Sequence, residues 1–290
     1  LVVITIIGML AAMSLGALTG VREMGREAAT KATIAKLNAI IMRRYESYMY
    51  RRVPVDLSGL TPTDAATARL YAIRDLMRME MPDRIDDITD GPITITLPSG
   101  KTASIPQRPA LMTLYNSYYT AHYHDPGPAM ANKLAGPAAM LYMIVSLGSP
   151  EDMEQFTQAE IGDTDNDGLL EFLDGWGRPI SFLRWAPGFS QYSDIQVADK
   201  VNHHDPFDPR RMDTEAYQLF PLIYSAGPNG EPGLDIGTGG TPFSFASVQG
   251  KLDWSSGSSF AKMGSASDNQ GKGTFTDFQD NITNHHIEAR

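Results

Sequence analysis

The 290-residue chain has no cysteine. That excludes disulfide staples, thiolate metal sites and cysteine nucleophiles in one stroke. It also lacks G-x-S-x-G, P-loop and H-E-x-x-H patterns, so no nucleophile–base or catalytic-metal constellation is legible and no enzymatic activity is expected. Basic residues are scarce beside acidic ones: Lys and Arg number 24 against 34 Asp and Glu, a net charge of −10. A surface of that sign does not suit nucleic acid, which selects basic patches. The most telling absence is local. No charged side chain occurs before Arg22, and no proline before Pro54.

Those two gaps define the stretch on which the chain is organised. Leu1 to Val21 reads LVVITIIGMLAAMSLGALTGV, and as a helix it would run ~30 Å, the thickness of a bilayer's hydrocarbon core. The helical pattern continues to Arg52, giving one helix of ~75 Å in two halves, 1–21 apolar and 22–52 amphipathic. In the second half Ile34, Leu37, Ile41, Tyr45 and Tyr48 recur at spacings of three and four and form one apolar stripe, with Lys36, Arg43 and Glu46 on another face. Arg52 precedes Val53-Pro54, where the helix should stop. Tyrosines 45, 48 and 50 suit packing far better than aromatic conduction. A signal peptide would be shorter and basic at its start. A single-pass anchor and a buried core helix are the other readings.

Charge is unevenly placed: residues 1–52 hold eight Arg/Lys and three Asp/Glu, so +5, which leaves −15 for the rest. A basic helix half against an acidic outer part describes a polarised subunit. An exported domain without disulfides needs another staple, and calcium is the obvious one.

The remainder divides into a mainly helical part, 53–160, and a part with strands, 161–290. Thr61 or Thr63 can cap a helix from Pro62 to about Met81. Ile93, Ile95 and Leu97 alternate before Pro98-Ser99-Gly100, which predicts a hairpin. Further helices are expected over Ala110–His122, Lys133–Leu147 (from Pro137 at the latest) and a short one capped by Ser149. Core strands are expected at Ile180–Trp185 and Leu219–Ser225, and residues 237–280, rich in Gly, Ser and Thr, as a long surface loop.

The most specific chemistry lies at Asp163-Thr164-Asp165-Asn166-Asp167-Gly168-Leu169-Leu170-Glu171-Phe172-Leu173-Asp174. Acids at positions 1, 3 and 5, glycine at 6 and an acid at 12 follow the EF-hand calcium loop. Alternate oxygens of a tight turn converge on one centre. The predicted ligands are Asp163, Asp165, Asp167, the Leu169 carbonyl, Glu171 and Asp174, the last resembling the dockerin variant of the loop. Magnesium demands a tighter shell, and a solvated acidic turn is the bland alternative. The histidine pairs 122/124, 203/204 and 285/286 could bind zinc or nickel, but loop placement suits each better.

Three segments carry a family resemblance. LVVITIIGMLAAM resembles the start of mature type IV pilins and type II secretion pseudopilins, where it follows a methylated aromatic residue and a glutamate. Asp174-Gly175-Trp176-Gly177-Arg178-Pro179 resembles the D-P-W-G-x-P segment of major pseudopilins, with Gly175 in place of proline. Ser225-Ala226-Gly227-Pro228-Asn229-Gly230 is similar to their S-x-G-x-D-G calcium region, Asn229 replacing aspartate. The resemblance implies an α+β fold: a long N-terminal helix packed on a head with a small antiparallel sheet, residues 61–158 forming a helical insertion. It implies a second calcium candidate at Asn229, Asp235 and Asp280. It implies assembly through Leu1, Val2, Ile4, Ile6, Ile7, Gly8, Leu10, Met13, Leu15 and Leu18, with the helix loosened between Gly8 and Gly20. The expected protein is a structural subunit that sits in the inner membrane, meets a pilus or secretion machinery and polymerises with itself into a cell-surface filament. A short secretion pseudopilus and a membrane-anchored calcium-dependent binding protein are the alternatives.

Overall fold

The computed structural model describes residues 2–125, 135–236, 245, 248–267 and 277–286, with the backbone alone for 2, 4–17, 135 and 277. Helix α1 runs unbroken from Val2 to Ser47, without loosening near Gly8 to Gly20. From Leu18 to Ala29 every side chain is exposed; from Thr30 onward one face is buried. The expected stripe is that face: Ile34, Leu37, Ile41, Tyr45 and Tyr48 are at most 4 % exposed. The helix stops a turn short of Arg52. The Tyr48 hydroxyl donates to Glu80, and Arg51 is clamped on the same carboxylate, which draws the chain off the helical path before Pro54. Tyr45 donates to the Leu219 carbonyl, so both inner tyrosines pack and bond, whereas Tyr50 faces solvent.

Among the described residues no helix is long and apolar enough to cross a membrane. Leu1 and the side chains of Val2, Ile4, Ile6, Ile7, Gly8, Leu10, Met13 and Leu15, which carry the assembly expectation, lie outside that description. Leu18 is half exposed.

The stretch expected to be an insertion forms largely where its signals fall. Helix α2 is Pro62–Glu80, and Thr61 caps it by accepting from the Asp64 amide at 3.1 Å. A short α3, Asp86–Thr89, was not legible. Strands β1 (Ile95–Thr96) and β2 (Thr102–Ala103) make the expected hairpin, and α4 is Ala110–His122. Helix α5 is Ala135–Gly148; residues 133 and 134 lie outside the described residues. The α-helix expected after Ser149 does not form. Residues Pro150–Gln155 make a 3-10 turn, Ser149 caps nothing, and its hydroxyl accepts from Arg44 instead. Phe156, packed on Phe172 at 4.5 Å, ends the turn by entering the core.

Two small antiparallel elements complete the head. Strands β3 (Ile161–Gly162) and β4 (Glu171–Phe172) form a hairpin with the acidic loop at its tip. Strands β5 (Ser181–Leu183), β6 (Leu222–Ser225) and β7 (Ile282–Thr283) form a sheet in that order. Both predicted core strands are present but shorter: Pro221 cannot donate to a ladder just before β6, and the Ile180 amide before β5 is taken by the Phe172 carbonyl. Strand β7 was missed. The sheet is tied to α1 through Asn284, whose side chain accepts from Ile223 and donates to Asn38 and the Pro221 carbonyl. Residues 248–267 are more than a surface loop: Leu252, Phe260 and Met263 are buried, and Trp254 stands edge-on to Phe260. One apolar cluster takes residues from α1, the insertion and the sheet, so 53–160 and 161–290 share a core.

That core holds charges the sequence did not announce. Arg78, Arg184, Asp75, Asp83 and Asp87 are at most 3 % exposed. Asp83 accepts from the Arg184 amide and lies 3.1 Å from Arg84, Arg184 reaches Asp87 at 2.9 Å, and Arg78 reaches Asp75 at 2.9 Å. Arg74 pairs with Asp205 and Asp213, joining α2 to the 205–213 loop. These pairs dock the insertion on β5 with direction, which apolar contact cannot supply. Removing one partner leaves a buried charge. Asp83→Asn is expected to cost about 3–5 kcal/mol in denaturant unfolding; a loss under about 1 kcal/mol contradicts a buried network.

Candidate metal centre

The loop between β3 and β4 turns tightly. Asn166 and Gly168 both take left-handed backbone, with φ of 58° and 86°. A side chain at Gly168 would also strike the His122 carbonyl at the end of α4, so glycine is required twice over. The carboxylates fold inward. Asp163 accepts from the Asp167 and Gly168 amides, Asp165 from Asp167, and Asp167 from Leu169, at 2.8–3.3 Å. Glu171 reaches in from β4 and accepts from the Thr164 amide at 2.9 Å.

Asp163, Asp165, Asp167 and Glu171 thereby bring one carboxylate oxygen each to within 4.8 Å of one another. No other such group of acids and histidines occurs among the described residues. Glu171 is fully buried, and its Oε1 has no hydrogen-bond partner. Burial, followed by the charges of Asp165, Asp163 and Asp167, raises its carboxyl to about 8. Asp167 rises to about 6, first from burial and then from Asp165 and Asp163, and Asp165 is raised the same way. Converging carboxylates that resist ionisation are what a cation relieves. The loop could hold a metal ion.

Asp174, expected to close the shell, is not in the group. Its Oδ1 accepts from the Trp176 and Arg178 amides and its Oδ2 from the Ser225 hydroxyl at 2.6 Å. It builds the turn into the sheet instead, because the extended β4 carries the chain away from the loop after Glu171. Leu169 is buried beside the acids, its amide held by Asp167. At the second candidate, Asn229 and Asp280 meet through the Asn229 amide at 3.2 Å, while the Asp235 backbone is paired with Ser265 and Gly264. The Gly227 and Pro228 carbonyls there accept from Arg178, a guanidinium standing beside the loop. Of the histidines, His122 stacks on Tyr118 and His285 is buried against Ser193, its pKa lowered to about 4 chiefly by burial. His204 and His286 lie beside Asp208 and Asp194. None joins the acidic group.

The loop's surroundings tie it to α1. Just before β3, Glu160 accepts from Thr33 and Lys36 at 2.7 and 2.8 Å; burial opposes ionisation, yet these bonds and Thr157 hold its pKa at about 2. Just after β4, the Gly175 amide donates to Thr30 and the Trp176 indole to Glu23. A side chain at Gly175 would run into the Arg26 carbonyl, which accounts for glycine at this position. On the other side, the His124 amide donates to the Asp167 carbonyl at 2.8 Å. The acidic loop therefore joins α1, α4 and the entry to the sheet. Glu160 carried no motif and His124 only a place in a histidine pair; the meeting of distant segments is what shows their part here.

No family model matches the chain, and no curated protein or solved structure does either.

Glu171 makes the site pH-sensitive in a defined sense. Its folded pKa, about 8, stands above its ordinary 4.5, so its contribution to stability is complete below pH 4.5 and lost as pH rises through 8. In chelator the urea midpoint should be higher at pH 5 than at pH 8, Glu171→Gln should flatten the difference, and a bound cation should stabilise more at pH 8. A chelated protein as stable at pH 8 as at pH 5 contradicts this account.

Proposed function

We propose that the chain is a pilin-like structural subunit that polymerises through its N-terminal helix into a cell-surface filament. One observation carries the reading. Every described side chain of helix α1 before Thr30 is exposed, and the chain's first twenty-one residues, ~30 Å as a helix, carry no charge. An uncharged helix of that length needs another phase or other copies around it. Burial of apolar surface, roughly 25 cal/mol per Å2, is the driving force of assembly. In this reading the subunit waits in the inner membrane, is handed on by a pilus or secretion machinery and ends at the cell surface. It is assigned no catalysis.

The ion of the acidic loop is calcium. Carboxylate oxygens from a flexible turn suit calcium's variable shell, and magnesium holds its water too firmly for such a site. Calcium takes the place of the absent disulfide, stapling head to helix through Glu160, Gly175 and Trp176. The Trp176 turn favours the pseudopilin as a second reading, because the resembling segment is that of the major secretion pseudopilins.

Ile6→Asp or Leu10→Asp tests the proposal, since an unpaired carboxylate is costly to bury in an apolar filament core. Each is expected to abolish fibres on sheared cell surfaces while the head keeps its melting temperature. Fibres at normal yield would overturn the filament reading.

A further inference from the structure

The end of α1 remote from the apolar segment opens on a cavity of about 540 Å3, between residues 48–57, the first half of α2 and the 206–210 loop. Val53, Val55, Leu57, Ile73 and Phe207 give it an apolar floor. Four arginines line it: Arg51, Arg52, Arg69 and Arg210. Arg51 is taken by Glu80. Arg52, Arg69 and Arg210 are exposed, and among the described residues none of their guanidinium groups has a hydrogen bond or an ion pair. The two acids of the lining do not answer them. Asp208 is 2 % exposed and accepts from the Met212 and Asp213 amides, and Asp56 is turned onto Ser58. A second cavity of about 420 Å3, across the 51–52 ridge, shares Arg51 and Arg52 and adds Arg108. The basic surface thus continues over the ridge.

This stands out in a chain of net charge −10. The other basic groups on the head-bound length of α1 are largely answered from within: Lys36 by Glu160 and Arg43 by Asp152. Copies of an acidic protein repel one another, and a filament needs places where that repulsion reverses. An unanswered arginine cleft with an apolar floor is such a place. Exposed carboxylates with no partner among the described residues, Glu151 and Glu154, show that a second copy has acid to offer.

We infer that the cleft of Arg52, Arg69 and Arg210 receives an acidic segment of a second copy of this chain, an inference that rests on the filament reading. Surface ion pairs are screened by salt, so the contact is salt-sensitive and acts on the rate of subunit addition.

The experiment follows elongation of full-length subunits from filament seeds by light scattering, at low salt and at 0.5 M salt. The variants are Arg52→Glu with Arg69→Glu, and Arg52→Lys with Arg69→Lys; both positions are exposed, and unchanged melting checks the fold. The charge-reversed pair is expected to elongate at least tenfold more slowly at low salt and to lose most of the salt dependence, while the lysine pair stays near wild type. Elongation of the reversed pair within twofold of wild type, with the same salt dependence, overturns the inference and leaves the filament reading standing. Wild-type subunits that neither elongate nor self-associate in sedimentation at low salt reject both. Polygalacturonate is the competing probe. Its binding by wild type and not by the reversed pair, with elongation unimpaired, gives the cleft to an acidic polysaccharide and overturns the second-copy assignment.

Discussion

Four carboxylates folded into one small loop are the constraint around which this head is built. Asp163, Asp165, Asp167 and Glu171 cannot all ionise at close range without help, and Glu171 is fully buried with one oxygen unsatisfied. The loop is nevertheless placed where most of the architecture converges. Its two strands end at Glu160 and at the Gly175-Trp176 turn, both of which hold α1, and its middle is bonded to the end of α4. Whatever neutralises the loop also sets how firmly helix, insertion and sheet hold together.

Charge does a second job away from the loop. The basic half of α1 meets the acidic head in discrete pairs, Lys36 with Glu160 and Arg43 with Asp152, while Arg44 bonds Tyr115 and Ser149. Deeper in, Arg184 and Asp83 lock the insertion to β5. Exposed pairs of this kind contribute little to stability, but buried ones punish any other docking of the same surfaces. With no disulfide and with strands of two to four residues, directional polar contacts are what make one arrangement unique.

Much of this was legible. The stripe from Ile34 to Tyr48, the Thr61 cap, the hairpin at Pro98-Gly100 and α4 all rest on local rules of spacing and turn chemistry, and all formed. The acidic loop was legible because its spacing is itself local; Asp163, Asp165, Asp167 and Glu171 converge as their positions implied. Asp174 did not join them, because a twelfth-position ligand needs a helix to bring it back, and this chain leaves the loop as strand β4. The remaining differences are contacts between distant segments. Strand β7 is too short to show a period, and the buried arginines read as surface charge until their partners are placed. Glycine at 175 has its reason in the passing backbone of Arg26, which no spacing within 174–179 reveals.

A cation bound at the acidic loop would hold head and helix together. Hydrogen exchange of the intact protein, with calcium and with chelator, reads this at the amides of residues 160–177 and 30–36. Calcium is expected to slow exchange in both segments together, since Glu160 and Gly175 link them. Identical exchange in both conditions would show that the acids are only a solvated turn and that the loop staples nothing.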